Sequence, residues 1–585
     1  MKFLRNLLAA ILGTLVALGI AFTMFFVLIG IITSSEDSVS IKKNSVLELQ
    51  LQRPISDYVG DNPMDPFSGG IFQQAQGLDE ILNAIGVAKN DDDIKGISLN
   101  NNFILAGLAQ TQAIRYALND FKSNGKFVYA YADFYPQKDY YLASIADSIF
   151  MNPVGALNFR GLSSEVLFFK DLQEKSGIKL EVIRHGKYKS AVEPFIANEM
   201  SDANRTQINE LISSLWGTMV DDISDSRKIN PKNLNVIADT LGGRTPEFAK
   251  QSGLIDGITF YDGYENSLKR AVGSDKDLNV VLLEDYVIRS NKKATNMGAD
   301  KIAVVFAQGE ILYGEGGPDI IGQGIITEAL RDARDDDKVK AIVLRVNSPG
   351  GSALTSDIIW REIELAKEKK PVVVSMGNVA ASGGYYIAVG ADKIFAEPTT
   401  ITGSIGVFGT VPNMTGLAED VGINAEQVGT NKNSVEYSLF EPMTDDFRNL
   451  VQESIESTYD TFLKRVAQGR DISVAEADSM AQGRVWSGVD AQRIGLIDEL
   501  GNLEDAVAEA ANMAELEEYG IKKFPKYKTG LERFLEDMGG AGTKAKQEFI
   551  EGEIGTQAYS VLKQVKSVMD QEGVQARMPF VLDIK

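Results

Sequence analysis

The 585-residue chain contains no cysteine and a single histidine, His185. The absence of cysteine excludes disulfides, thiol nucleophiles and thiolate metal sites. One histidine also excludes zinc motifs such as HExxH, which require two. We predict no metal site and no cofactor for this chain.

Basic residues are also fewer than acidic ones. Acidic residues number 81 against 59 lysines and arginines, which gives a formal net charge of −22. A protein of this sign repels nucleic-acid phosphates, so we expect no nucleic-acid partner. The hydrophobic content of 44% is ordinary for a globular protein. The length predicts more than one domain.

Long apolar runs are absent except at the amino terminus, where residues 6–33 carry no charge. As a helix rising about 1.5 Å per residue, this segment exceeds a hydrocarbon core of about 30 Å. A cleaved signal peptide is the alternative, but its apolar region is shorter and ends in small residues. Lys2 and Arg5 precede the run, whereas Glu36 and Asp37 follow it. We predict one transmembrane helix within residues 1–35, with a cytoplasmic amino terminus.

The rest of the chain repeats itself. An offset of 245 positions relates Leu99 in "DDDIKGISL" to Leu344 in "DDDKVKAIVL", and Ala146 to Ala391 in the later "AD" pairs. Such self-similarity indicates two copies of one domain. Each copy alternates short β-rich runs with amphipathic helical patterns, which predicts an α/β fold with buried sheets.

We place the first copy at residues 45–285 and the second at 301–525. A polar stretch at 286–300 is predicted to link them. Residues 526–585 are predicted to form a charged, helical C-terminal extension, to which the sequence assigns no chemistry.

Two glycine-rich stretches distinguish the second copy. Ser382 is followed by two glycines in "NVAASGGYYIA", and Gly351 ends the Pro-Gly-Gly of "RVNSPGGS". Backbone N–H groups of Gly351 and Gly383 could hold an oxyanion beside a serine nucleophile. A plain turn and a tight helix–sheet contact are the structural alternatives. The first copy has Gln137 in place of Ser382, so it cannot use the same nucleophile.

A proton acceptor for this serine must come from elsewhere. The first-copy stretch "VIRHGKYKSAVEPF" contains His185, Lys187 and Lys189. A histidine base needs an acid to hold its imidazole, and no nearby residue stands out for that role. Lys189 faces Ser434 in the second copy, so only the first copy supplies this amine. Burial could lower a lysine pKa enough for general-base catalysis, whereas a solvated surface lysine is the alternative.

Four stretches, "VNSPGGS", "NVAASGGYYIA", "TGSIGVFG" and "YKSAVEPF", resemble the signature motifs of the signal peptide peptidase A family in its long bacterial form. The resemblance implies a Ser/Lys protease in which Ser382 is the nucleophile and Lys189 the general base. It further implies that Gly351 and Gly383 supply the oxyanion N–H groups and that Ser404 orients the lysine. His185 lies outside that machinery.

The same resemblance covers about residues 1–525 and implies two tandem ClpP/crotonase-like domains after the transmembrane helix. It implies a homotetramer on the inner membrane that degrades cleaved signal peptides and other apolar peptides at the periplasmic face. A crotonase-type acyl-CoA enzyme and a non-catalytic membrane scaffold are the alternatives. The sequence leaves open whether Ser382 meets Lys189 within one chain or between neighbouring chains.

Overall fold

The computed structural model describes residues 2, 5–6, 12–20, 23–24, 41–60, 75–274, 277–294, 300–431, 433–434, 437–527 and 575–578. The chain divides into two compact units, Met1–Lys43 and Asn44–Lys585. Residues 12–20 of the first unit are helical, and most of the predicted anchor lies outside the described residues. Within the described ranges, no helix is both long and apolar enough to span a membrane.

In the described part of the second unit, the strands are β1 (Ser45–Leu49), β2 (Ile55–Ser56), β3 (Gln76–Gly77), β4 (Ile94–Asn100), β5 (Phe127–Tyr135), β6 (Ser148–Leu157), β7 (Lys179–His185), β8 (Gly257–Ile258), β9 (Val280–Leu282), β10 (Lys301–Gln308), β11 (Glu310–Leu312), β12 (Ile320–Gly322), β13 (Val339–Ser348), β14 (Gly350–Ser352), β15 (Val372–Ala381), β16 (Lys393–Ala396), β17 (Ile401–Gly403), β18 (Val407–Asn413), β19 (Val485–Ser487), β20 (Glu499–Leu500), β21 (Gly520–Phe524) and β22 (Gln575–Arg577).

The helices over the same residues are α1 (Leu78–Lys89), α2 (Leu108–Ser123), α3 (Gln137–Ala143), α4 (Lys170–Ser176), α5 (Glu193–Ile196), α6 (Asp202–Arg227), α7 (Pro231–Asp239), α8 (Pro246–Gln251), α9 (Tyr261–Val272), α10 (Leu283–Ala294), α11 (Gln323–Asp335), α12 (Ala353–Lys367), α13 (Gly383–Ala388), α14 (Thr415–Val421), α15 (Asp445–Arg470), α16 (Val474–Met480), α17 (Gly488–Arg493) and α18 (Leu503–Met513). The predicted mixed α/β class is confirmed.

Each copy contributes a sheet whose central strands run parallel. The first sheet has the order β8-β6-β5-β4-β1-β9, and the second has β19-β17-β15-β13-β10-β21. Strands such as β10, with the sequence KIAVVFAQ, are buried along nearly their whole length. Continuous apolar sequence is expected here, because helices cover both faces of a parallel sheet.

The second sheet brings two loops to one edge. β13 and β15 are parallel neighbours. β13 ends at Ser348, just before the glycine pair, and β15 ends at Ala381, just before Ser382. Because parallel strands point the same way, their carboxyl ends meet at the same edge. The two glycine-rich stretches of the second copy therefore become neighbours.

A third sheet joins the two copies. Its order is β12-β11-β14-β22-β18-β7, and its outer strand β7 comes from the first copy. β7 pairs antiparallel with β18 in an unbroken register from Lys179 opposite Asn413 to His185 opposite Val407. This ladder carries the chain that follows β7, and with it Lys189, to the second copy.

Two stretches differ from the sequence-based expectation. Most of the predicted linker, residues 286–300, belongs to α10, in which Tyr286 and Ser290 are buried. The hydroxyl of Tyr286 donates a hydrogen bond of 2.9 Å to Asp91, so this helix is fastened to the first copy. In the extension predicted as helical, residues 575–577 instead form β22, which lies inside the third sheet.

A buried ion pair also ties the copies together. Arg345 Nε lies 2.9 Å from Asp57 Oδ2, and the two side chains are 1% and 2% exposed. The guanidinium also donates hydrogen bonds to the Ser375 hydroxyl and the Met376 carbonyl. The carboxylate accepts a further hydrogen bond from Gln110. Each charge is therefore satisfied only when the first copy is docked on the second.

Asp57→Asn is expected to destabilise the folded protein by about 3–5 kcal/mol, because it leaves the Arg345 charge buried without a counter-ion. Lys369→Ala is a suitable control, since its ion pair with Asp335 is exposed, at 58% and 53%. Loss of such a surface pair costs about 0–1 kcal/mol. Scanning calorimetry of both variants measures the difference. A melting temperature for Asp57→Asn no lower than that of the control would contradict the assignment.

Candidate active site

Ser382 occupies a strained turn between β15 and α13. Its backbone has φ 57° and ψ −114°, a conformation that residues other than glycine rarely adopt. Such strain costs on the order of 1–3 kcal/mol and persists only where the surroundings impose it. The Ser382 N–H is held by the Gly403 carbonyl at 2.8 Å. The hydroxyl is thereby fixed at the strand edge, and the residue is 0% exposed.

Lys189 reaches this hydroxyl from the first copy. Its Nζ lies 2.8 Å from Ser382 Oγ. It lies 3.0 Å from both the hydroxyl and the carbonyl oxygen of Ser404. The structure thus brings together Ser382, Lys189 and Ser404 within a single chain.

The electrostatics of the amine are unusual, because the described residues provide it with no carboxylate partner within ion-pair distance. Lys189 is 0% exposed. Burial in these surroundings lowers the pKa of Lys189 well below the ordinary value of a lysine side chain. The Phe408 ring, 6.0 Å from Nζ, adds apolar surface to the pocket. This arrangement favours the neutral amine, which can accept a proton.

Gly351 lies where a side chain could not fit. Its φ is 151°, and a Cβ built on it would stand 2.0 Å from the Ile311 carbonyl oxygen in β11. Gly383 begins α13, so its N–H has no partner within the helix. The two glycine loops touch, since a Cβ on Gly350 would lie 2.7 Å from the Gly383 nitrogen. Both predicted donors therefore lie at the strand edge that holds Ser382.

Sequence reasoning missed the residues that hold Lys189 in place. Gly483 packs so closely that a Cβ on it would lie 2.6 Å from the Lys189 nitrogen. The Gln482 carbonyl accepts a hydrogen bond of 2.8 Å from the Tyr188 N–H. Both residues follow a short helix in the second copy, and "AQGR" resembles an ordinary helix end. Only the spatial contact reveals their role in positioning the amine.

The other basic residues of the same stretch point elsewhere. The His185 ring stacks on Tyr459 with ring centres 4.2 Å apart. Lys187 is exposed, with its Nζ 5.3 Å from the centre of the Tyr188 ring. In the first copy, Gln137 Oε1 accepts hydrogen bonds from two backbone N–H groups, those of Arg160 and Gly161. The position equivalent to Ser382 is thus structural in that copy.

Comparison with known proteins also finds two related regions in this chain. Residues 120–275 and 364–517 each match Peptidase family S49. The chain is 37% identical to Protease 4 of Salmonella typhi, over 85% of this chain and 82% of the relative. It is 39% identical to Protease 4 of Haemophilus influenzae, over 74% and 72% of the two chains. It is 32% identical to the chloroplastic serine protease SPPA of Arabidopsis thaliana, over 93% and 78%.

Similarities to solved structures are weaker. A ClpP1 mutant from Listeria monocytogenes is 17% identical, with a TM-score of 0.23 over 35% of this chain and 94% of its own. A mutant of the 1510-N membrane-bound stomatin-specific protease is 15% identical, with a TM-score of 0.25 over 39% and 99%. Scores this low support no argument about the fold. The two family matches and the coverage of the sequence relatives support a family assignment instead. The chain belongs to Peptidase family S49, as a serine protease with two family domains in tandem.

Proposed function

We propose that this chain is a membrane-anchored endopeptidase in which Ser382 attacks the peptide carbonyl and Lys189 removes the serine proton. The observation that carries the proposal is the 2.8 Å hydrogen bond between Lys189 Nζ and Ser382 Oγ in a pocket closed to solvent. An unassisted serine hydroxyl is a weak nucleophile, so it needs a base within hydrogen-bond distance. Lys189 meets that geometric requirement.

Ser404 directs the lone pair of the amine. A neutral amine has two N–H bonds, and the hydroxyl and carbonyl oxygens of Ser404 offer two acceptors at 3.0 Å. When both N–H bonds are used there, the lone pair faces Ser382 Oγ. Proton transfer then proceeds along the hydrogen bond that is already formed, without rotation of the lysine side chain.

The tetrahedral intermediate carries negative charge on the former carbonyl oxygen. The N–H groups of Gly351 and Gly383 are proposed to hold that oxygen. Fixed backbone donors in a site without water stabilise such charge strongly, and loss of one donor costs about 10²–10³-fold in rate elsewhere. The amine, once protonated, returns its proton to the leaving nitrogen.

An acyl-CoA enzyme and a non-catalytic scaffold are the competing functions. Neither accounts for a lysine that is buried beside a serine, because burial of an amine without a carboxylate partner costs folding stability that neither function requires. Membership of a peptidase family also favours peptide hydrolysis. We therefore retain the peptidase as the proposed function.

The substrates are proposed to be cleaved signal peptides, at the periplasmic face of the inner membrane. The uncharged run at residues 6–33 suits an anchor. An enzyme held at the bilayer surface meets apolar peptides where they accumulate. Relatives named Protease 4 are consistent with a peptide substrate. We propose a homotetramer as the assembled form.

Ser382→Ala is expected to reduce hydrolysis of a synthetic signal peptide by at least about 10³-fold, because the attacking group is removed. Lys189→Met should have a similar effect with the fold intact, because its side chain fills the same space without a base. Initial rates measured by mass spectrometry, with circular dichroism to check folding, provide the test.

Lys187→Ala and His185→Gln are the matched controls, since both side chains lie within four residues of Lys189 but contact other groups. Both should retain most of the activity. Near-complete loss in His185→Gln together with an active Lys189→Met would assign the base to the histidine and refute the Ser/Lys proposal.

The anchor and the assembly can be tested together. The full chain should sediment with washed membranes, and removal of residues 2–40 should release it into the soluble fraction. After detergent extraction, light scattering should give about four times the protomer mass of 63.8 kDa. Recovery of the intact chain as a soluble monomer would contradict both parts of the proposal.

A further inference from the structure

A buried glutamine of the first copy links two backbone segments of the active site. Gln207 lies in α6 and is 1% exposed. Its Nε2 donates a hydrogen bond of 3.0 Å to the Tyr188 carbonyl oxygen. Its Oε1 accepts one of 3.4 Å from the Val485 N–H in β19 of the second copy. The proposed reaction assigns no role to this side chain.

The first contact holds the peptide group from which Lys189 begins. The Tyr188 carbonyl and the Lys189 N–H belong to one planar peptide group. On the N–H side, Gly483 packs so closely that a Cβ on it would lie 2.6 Å from the nitrogen, and on the carbonyl side Gln207 donates its hydrogen bond. Arg184 holds the next carbonyl, that of Lys189, at 3.1 Å. Both peptide groups around the Lys189 Cα are thus fixed, and with them the direction in which the side chain leaves the backbone.

The second contact holds the segment that fixes Ser404. The Ser404 N–H donates a hydrogen bond of 2.6 Å to the Arg484 carbonyl, and Ser404 has a φ of 52°. The next residue, Val485, opposes Gly403 in the antiparallel pair of β17 with β19. Hydrogen-bonded pairs alternate along such a ladder, so Val485 turns its N–H away from β17. Gln207 provides the acceptor on that side.

The amide of Gln207 is oriented by a buried chain of hydrogen bonds. Asn204, one turn earlier in α6, accepts a hydrogen bond of 3.1 Å from Gln207 Nε2. Its own amide nitrogen donates one of 2.6 Å to the Glu193 carboxylate. Because a carboxylate only accepts, Asn204 turns its nitrogen to Glu193 and its oxygen to Gln207. The Gln207 nitrogen then faces Tyr188, and its oxygen faces Val485.

We propose that Gln207 is a positioning residue for the Ser/Lys reaction, in which its amide sets the separation between the Lys189 backbone and the segment that holds Ser404. This inference rests on the proposed peptidase function. Lys189 Nζ lies 3.0 Å from both oxygens of Ser404, so a change in that separation alters both hydrogen bonds. The amine then loses the orientation that directs its lone pair to Ser382.

Gln207→Met tests this role, because methionine fills a similar volume without an amide. A misplacement of about 1 Å can cost about 10²-fold in rate, so kcat for a synthetic signal peptide should fall about 10–100-fold. KM should stay within about twofold of the wild-type value, because the change acts on the base and not on peptide binding. Steady-state kinetics of the detergent-extracted full chain measures both constants.

Gln112→Met is the matched control. Gln112 is a completely buried glutamine in α2 of the first copy, and it also binds the second copy, since its Oε1 accepts a hydrogen bond of 3.2 Å from the Thr399 N–H. Its Nε2 donates to Tyr116 and Asp222, away from the dyad. Gln112→Met should therefore lower the melting temperature as Gln207→Met does, but it should leave kcat within about twofold of wild type.

The pH dependence of labelling by a fluorophosphonate probe gives a second readout. Burial lowers the pKa of Lys189. A loosened lysine segment admits water, which raises that pKa towards the ordinary value. The rising limb of the labelling rate constant should move to higher pH in Gln207→Met but not in Gln112→Met. Only folded molecules are labelled, so partial unfolding changes the amplitude and not the midpoint.

A double variant tests whether Gln207 acts through Ser404. If it does, Gln207→Met combined with Ser404→Ala should be about as slow as the slower single variant, because both changes remove the same orientation of the amine. Gln112→Met combined with Ser404→Ala should instead show the product of the two separate effects. If Gln207→Met does not fold, Gln207→Asn takes its place with the same expected changes, because its shorter amide stays polar but does not reach both partners.

Three outcomes would overturn the inference and spare the proposed function. They are equal kcat values for the two glutamine variants, a labelling limb that does not move in Gln207→Met, and effects of Gln207→Met and Ser404→Ala that multiply. Activity that survives in Lys189→Met would instead refute the proposed function, and this inference would fail with it.

Discussion

The hydrogen bond between Lys189 Nζ and Ser382 Oγ is the contact on which the rest of the site depends. It joins a strained turn to a buried amine, and it is kept dry by residues from both copies. Desolvation lowers the pKa of Lys189. The unfolded chain therefore binds more protons than the folded one between that lowered value and about 10.4, and stability rises with pH across this window. Burial of Lys189 therefore costs folding stability near neutral pH, and it leaves an amine that can accept a proton.

Several features far from the dyad serve to keep these two side chains together. The β7–β18 ladder brings the lysine-bearing segment across from the first copy. The buried pair of Asp57 and Arg345 fastens the same two copies at another place. Gly483 leaves room for the backbone of Lys189, which a side chain would displace. The two copies of the tandem repeat thus carry different site residues: the second copy supplies the serine and the first supplies the amine.

The two-copy α/β organisation could be predicted from the sequence, because repeated stretches and apolar strand patterns can be seen in the sequence itself. The 245-residue offset and the continuous apolar strands predicted two α/β copies, and the Pro-Gly-Gly and Ser-Gly-Gly stretches were predicted to offer oxyanion N–H groups beside Ser382. The pairing of β7 with β18 could not be predicted, since strand partners that lie 222 to 234 positions apart (407 − 185 and 413 − 179) leave no local pattern. The role of Gln482 and Gly483 in positioning Lys189 could not be predicted either, because it depends on contacts between residues that are far apart in the sequence. The polar composition of residues 286–300 suggested a linker, yet Tyr286 anchors α10 in the first copy.

The C-terminal extension was the least predictable part. Its charged, helix-like sequence says nothing about Ala576, because a strand of three residues has no periodicity of its own. β22 exists by pairing with β14 and β18, so its conformation is set by its partners. In this position β22 completes the third sheet between β14 and β18.

Activation of Ser382 by a lysine with a lowered pKa can be measured on the folded protein. The most direct measurement is the rate constant for labelling of the full chain by a fluorophosphonate probe between pH 5 and pH 11, with circular dichroism to confirm folding. We expect one rising limb whose midpoint lies well below the ordinary lysine value of about 10.4, and we expect this limb to be lost in Lys189→Met. A midpoint at about 10.4, or the same limb in Lys189→Met, would contradict it.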